Sequence, residues 1–260
     1  MPELWGVINV TPDSFSDGGR YLDADAAFAH GRALLQQGAD VLDIGGESSR
    51  PAGRNYGEGF EHVPAAEEMA RVVPVIELLA GELAARVSVD TVKPEVAIAA
   101  LAAGASIVND VRCGEDPGLA EAAAAAGADY VIMHNRGRGE VRPPNTDYGD
   151  VVHDVLDELL QAAERVERAG VPPAAVWLDP GLGFAKTGRQ SAALLSSLGR
   201  FRKTGYRILV GPSRKSFIAE LAPNRGGERP SADDRLGGTA AAVAICVAAG
   251  VDAVRVHDVH

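Results

Sequence analysis

The chain is poor in sulfur, in aromatic rings and in positive charge. Only two of its 260 residues are cysteine, Cys113 and Cys246, far apart and outside any CxxC pair. Two such residues cannot build a disulfide framework or a thiolate metal knuckle. They are expected as buried, reduced thiols, which points to the cytoplasm. Basic residues number 25 against 36 acidic ones, a formal net charge of −11, which argues against a general footprint for nucleic acid. Any phosphate must then be held locally, by a few aimed cations. No apolar run approaches the ~20 residues that span a bilayer. The opening MPELWGVINV has neither the basic start nor the apolar length of a signal peptide. The expectation is a soluble protein that acts on small molecules, with no nucleic acid or membrane as partner.

What is abundant is a repeated alternation. Short apolar runs, most of them rich in Val and Ile, recur at 4–9, 40–46, 86–91, 106–111, 129–134, 175–180, 207–213 and 252–257. Continuous apolar character without strict alternation marks strands buried on both faces, hence a parallel sheet. Between them, 25–37, 64–82, 94–103, 117–126, 151–169, 190–204 and 237–249 read as helices. The clearest, at 151–169, puts Val151, Val155, Leu159, Ala163 and Val166 on one stripe and stops at Gly170 and Pro172. Eight strands alternating with helices predict a single (β/α)8 TIM barrel over 1–260. A doubly wound sheet shares the alternation, which alone does not prove closure. After the eighth run only three residues remain, so the final C-terminal helix is expected to be missing or truncated. The outer ring would then be open beside the seam between the last and first strands.

Ligands of a parallel barrel gather at the C-terminal ends of its strands. Those ends carry Asn9, Asp43, Asp90, Asn109, Met133 with His134, Asp179, Ser213, Arg255 and His257. Polar groups collected on one buried rim are costly without partners, so the whole set argues for a binding site. Asp43, Asp90, Asn109 and Asp179 form an acceptor-rich group suited to a flat heterocycle with several N–H donors. Arg255 and His257 flank Val256 and share a face by the period of two. With Asn9 on the neighbouring first strand they could hold an anion. GPSRKSF (211–217) places Ser213, Arg214 and Lys215 at the opening of a short helix, a setting that favours negative groups, although a basic surface helix would look the same. The stretches 11–19 and 48–64 are Gly-containing loops, expected to act as lids or binding loops over the mouth.

Seven segments together resemble the dihydropteroate synthases in order and spacing: GVINVTPDSFSDGG, DIGGESSRPAG, VSVDTVKPEVA, IVNDV, DPGLGFAKT, GPSRKSF and VRVHDV. The resemblance runs from Trp5 to Val259. It implies a pterin-binding (β/α)8 barrel and a transferase of folate biosynthesis. The family joins 6-hydroxymethyl-7,8-dihydropterin pyrophosphate to para-aminobenzoate and releases pyrophosphate and 7,8-dihydropteroate. Sulfonamides act on it as para-aminobenzoate mimics. Carried over by position, the pterin pocket is Asp90, Asn109, Asp179 and Lys215, with Asp43 close by and Met133 and Phe184 as walls. Pyrophosphate is implied against Asn9, Arg255 and His257, with Mg²⁺ on Asn9 and Asp17. Para-aminobenzoate is implied between Phe15, Ser49, Arg50 and Pro51 on one side and Phe184, Ser213 and Lys215 on the other. The resemblance further implies a homodimer.

The chain departs from the family pattern at 188–190, where GRQ follows DPGLGFAKT, in the longer stretch after Pro51, and at 110–117. Two other functions use the same barrel: a methyltetrahydrofolate-binding methyltransferase domain and a non-catalytic pterin-binding paralogue. The TPDSFSDGG segment, SRKSF and the Arg255/His257 pair fit pyrophosphate and para-aminobenzoate better than either.

Overall fold

The computed structural model describes residues 1–10, 20–47, 63–137, 141–223 and 226–260, with side chains in the first helix from residue 24 onward. Eight parallel strands, β1 (Glu3–Asn9), β2 (Val41–Gly45), β3 (Arg86–Asp90), β4 (Ile107–Asp110), β5 (Asp129–Met133), β6 (Val176–Asp179), β7 (Arg207–Val210) and β8 (Ala253–Val256), follow one another in chain order around a closed barrel. Closure is made by β8 against β1, in register from Glu3 opposite Ala253 to Gly6 opposite Val256. The doubly wound alternative is thereby excluded. Helices α1 (Arg20–Gln36), α2 (Ala65–Leu83), α3 (Pro94–Ala102), α4 (Pro117–Ala126), α5 (Val151–Arg168), α6 (Gly188–Ser196), α7 (Leu198–Arg202), α8 (Ser216–Leu221) and α9 (Leu236–Ala249) connect them.

The strands lack a polar face because both faces are covered. Pointing outward, Ile8, Leu42, Ile44, Val87, Val89, Val108, Ile132, Leu178, Ile208, Val210 and Val254 pack on the helices in one large core. Pointing inward at the N-terminal end, Trp5, Val41, Ile107, Val131, Trp177, Leu209 and Ala253 form a separate cluster that fills the lumen. Trp5 and Trp177 meet edge to face, with ring centroids 5.4 Å apart, a favoured aromatic geometry. This floor leaves the C-terminal end to be built from something else.

Local chemistry sets the helix ends. Asp116 accepts from the Gly118 N–H at the start of α4, and Asp150 from Val152 and His153 at the start of α5. Thr187 and Gln190 close a capping box at α6, satisfying donors that a helix start leaves free. Thus part of the GRQ departure at 188–190 serves as a cap. Two expectations are corrected. The predicted helix at 190–204 is two helices divided at Ser197, and the buried stripe of α5 uses Val152 rather than Val151, which is only half-buried. Beyond β8 the residues to His260 form no further helix. Cys113 and Cys246 are free and buried. Among the described residues no helix is long and apolar enough to cross a membrane.

Candidate active site

A strand turns each second side chain to the same side, so every floor residue fixes what lies one step above it. Two positions beyond Val41, Ile107, Val131, Trp177, Leu209 and Ala253 stand Asp43, Asn109, Met133, Asp179, Gly211 and Arg255. β3 contributes Ser88 to the same level, opposite Asp43 in register. Asn9 and Asp90 lie higher, both beside Gly45, where an added Cβ would stand 3.8 Å from Asp90 Oδ2 and 3.9 Å from Asn9 Oδ1. The barrel therefore changes from aromatic to ionic within two residues of strand.

Arg255 is the hub of this level. It donates through Nη1 to Asp43 Oδ2 (3.3 Å) and through Nη2 to Asp179 Oδ2 (3.2 Å). Asp43 also accepts from Ser88 Oγ (2.6 Å) and Asn109 Nδ2 (3.2 Å), and Asp179 from the Gly181 N–H (2.8 Å). Gly211 makes room for the guanidinium, since a Cβ there would lie 3.3 Å from Nη2 and 3.4 Å from Nε. Burial raises the Asp43 carboxyl above the usual range against the pull of Arg255. Asp90 is raised well above it, by desolvation first and by the Asp43 charge second.

Two buried polar atoms without a partner among the described residues belong to this mouth: Asn109 Oδ1 and Lys215 Nζ. The Lys215 ammonium lies 4.6 Å from the centre of the Phe184 ring, a cation–π contact. Burial lowers its pKa to about 7 against the opposing pull of Asp179. At the rim, Ser213 Oγ accepts the His257 N–H (3.1 Å) and lies 3.0 Å from His257 Nδ1. The structure thus brings together Asp43, Asp90, Asn109, Met133, Asp179, Phe184, Ser213, Lys215, Arg255, His257 and Asn9 at the C-terminal mouth. Phe15, Asp17, Ser49, Arg50 and Pro51 lie outside the described residues. Arg214, the other basic residue of GPSRKSF, pairs with Asp258 through two nitrogens and with Asp233 through a third. It ties the segment after β7 to the one after β8.

Sequence reasoning passed over Lys186, a lysine within the Gly-rich DPGLGFAK segment that is buried to 1% exposure. A lone basic residue inside so apolar and glycine-rich a stretch was the available signal. For metals, no group of three or more His, Cys, Asp or Glu with ligating geometry exists among the described residues. The carboxamide oxygen of Asn9 is a hard donor at a strand end. Mg²⁺ needs only one or two protein oxygens when phosphates and water complete its shell.

The chain matches the family model described as "Pterin binding enzyme" over residues 5–257. It is 45% identical to the Mycobacterium leprae dihydropteroate synthase, over 99% of this chain and 88% of that protein, and 42% identical to the one from Bacillus subtilis, over 98% and 83%. The Xanthomonas albilineans dihydropteroate synthase solved in complex with 7,8-dihydropteroate has the same fold, with a TM-score of 0.84 and 41% identity over 99% of this chain and 88% of that one. The chain belongs to the pterin-binding enzymes, in the company of the dihydropteroate synthases.

Proposed function

We infer that the chain condenses 6-hydroxymethyl-7,8-dihydropterin pyrophosphate with para-aminobenzoate, giving 7,8-dihydropteroate and pyrophosphate. The observation that carries this is the mouth itself: a ring of buried acceptors locked by Arg255, with the unpartnered ammonium of Lys215 at its edge. A pterin presents N–H donors on a flat ring. Asp90, Asp179 and the free Asn109 Oδ1 accept them, with Asp43 behind and Met133 and Phe184 as walls.

The exocyclic C–O bond breaks with its electrons moving to the pyrophosphate, and the arylamine lone pair forms the new C–N bond. An arylamine is nucleophilic without prior deprotonation, so no strong base is required, and its proton leaves after attack. His257 and Asn9 face the departing pyrophosphate, and Arg255, held beneath them by Asp43 and Asp179, adds its positive charge to offset the growing negative one. Asn9 Oδ1 and Asp17 would hold Mg²⁺, which when bound supplies further charge neutralisation to the leaving group. Lys215 lies between the two substrates. Phe15, Ser49, Arg50, Pro51, Phe184 and Ser213 surround para-aminobenzoate and keep water from the electron-poor methylene carbon. The working form is a cytoplasmic homodimer, which sedimentation of the purified chain checks.

The test is pyrophosphate release from the purified chain. Release that requires both substrates and Mg²⁺ is the expected result. A chain that binds pterin and releases nothing is a binding paralogue, and one that takes methyltetrahydrofolate instead is a methyltransferase domain.

A further inference from the structure

Lys186 lies behind the mouth, in the turn that joins β6 to α6. Its ammonium is 2.8 Å from Phe184 O, 2.9 Å from His134 Nδ1, 3.1 Å from Gly181 O and 3.4 Å from His134 O. It makes no ion pair among the described residues. A buried cation held by neutral acceptors is an expensive way to fill space, and a methionine would fill the same volume without losing hydration. We propose that Lys186 is a positioning residue: by chelating Gly181 O, Phe184 O and His134, it holds the turn after β6 in the shape that sets Phe184 against Lys215 and the Gly181 N–H on Asp179.

Three observations support this. The turn is seated directly on the end of β5: Gly181 has φ +65°, and a Cβ there would fall 2.0 Å from His134 O. It has no slack to find another shape without the ammonium. His134, whose pKa burial and the neighbouring Lys186 charge lower to about 4, is neutral. Its Nδ1 lone pair therefore meets the ammonium, and its Nε2–H donates to Glu158 Oε2 at 3.0 Å. Glu158 is gripped by Arg136, Arg136 lies 3.9 Å over the Tyr148 ring, and Tyr148 OH donates to Ala185 O at 3.2 Å. The chain of contacts thus leaves the turn at Lys186 and returns to it one residue earlier. Such a closed circuit fixes a backbone rather than merely occupying volume.

The charged and titratable groups around Lys186 are Lys215 from the segment after β7, Asp179 from β6, Cys113 from the segment after β4 and Glu158 from α5. Burial and the charge of Lys215 lower the Lys186 pKa to about 7. Lys186 thus releases its proton more readily than an exposed lysine does, and Lys215 is one reason.

The inference rests on the reaction proposed above, and the experiment separates the two. In the full chain, Lys186→Met is expected to lower kcat about 30-fold with KM for either substrate changed less than about threefold, as misplacement of reacting groups does. The 13C resonances of the Phe184 ring should shift, because the ring leaves its place against Lys215. His134→Leu, which removes the acceptor, should lose about tenfold more activity than His134→Asn, whose Oδ1 can replace Nδ1. Folded Lys186→Met with wild-type kcat and an unmoved Phe184 ring resonance overturns the proposal. So does equal loss in the two His134 variants, or failure of both Lys186→Met and His134→Leu to fold, which would make the role one of stability alone. Should Lys186→Met alone fail to fold, the His134 pair decides. The Phe184 resonance is read without turnover. A wild-type chain that releases no pyrophosphate while Lys186→Met still moves the Phe184 ring would sink the reaction and not this inference.

Discussion

The two ends of the barrel lumen are built on the same strand faces and could hardly differ more. At the floor, Trp5 Nε1 donates to Glu3 and Trp177 Nε1 to Asp129, while Arg86 and Arg207 complete the pairs at 2.9 and 2.8 Å. Arg207 lays its guanidinium 4.1 Å above the Trp177 ring. The apolar bulk lies inside and the charges lie at the edge, where water still reaches them. Two residues along each strand the order reverses, with Arg255, Asp43 and Asp179 buried on the axis and Lys215 and Asn109 holding unused bonding capacity. The floor leaves one buried nitrogen, Arg207 Nε, without a partner beside its ion pair, while the mouth is prepared for a guest. Conserving a barrel and running a reaction are thus assigned to opposite ends of the same eight strands.

Substitutions at the two ends should split accordingly. Lys215→Ala is expected to lower kcat/KM by about 10³-fold or more, the scale of a lost charge-stabilising donor, with no loss of melting temperature because it deletes an unpartnered buried cation. A variant keeping more than a tenth of wild-type turnover would erase the contrast from the mouth side. Trp177→Ala should cost about 3–5 kcal/mol in urea unfolding while the folded fraction keeps its kcat. If turnover collapses with stability intact, the floor is more than a floor.

A smaller, graded effect comes from pH. The Lys215 ammonium, with its pKa near about 7 in the free protein, is present below that value and lost above it. Activity in kcat/KM should therefore fall on the alkaline side, starting near neutrality. The limb in kcat should lie higher, because the anionic substrate favours the charged amine. The sign for stability is opposite. The unfolded lysine keeps its proton up to its ordinary value, so between the two values the unfolded chain binds more protons and stability rises with pH. Parallel pH profiles of turnover and of urea midpoint check both. Least of all, Arg86→Ala, breaking an exposed pair with Glu3, should cost under about 1 kcal/mol. A larger loss in a double-mutant cycle with Glu3→Gln would show that the floor depends on its rim.

Much of this is legible in the sequence. The eight apolar runs and the helices between them survive within a few residues, because burial on both faces leaves a strong local signature. The rim residues were legible for the same reason: a period of two carries Asp43, Asn109, Asp179 and Arg255 to one side whatever the rest of the chain does. What escaped depends on distant partners. Nothing near Arg214 announces Asp258, and nothing near Lys186 announces His134, 52 residues away. The break at Ser197 was invisible because the apolar pattern continues across it. The expectations for Phe15, Asp17, Ser49, Arg50 and Pro51 fall outside the described residues.

The carboxylates on the axis also set a direction. Asp43, Asp90 and Asp179 face Arg255 and Lys215, so the deep end carries no surplus of positive charge to welcome a polyanion. For the substrate proposed above, with a neutral, donor-rich head and a pyrophosphate tail, this charge pattern favours entry head down, with the tail toward the rim of His257 and Asn9. The same asymmetry lets the released tail depart without being drawn inward behind the product. The lumen behaves as a valve whose polarity is written in three aspartates.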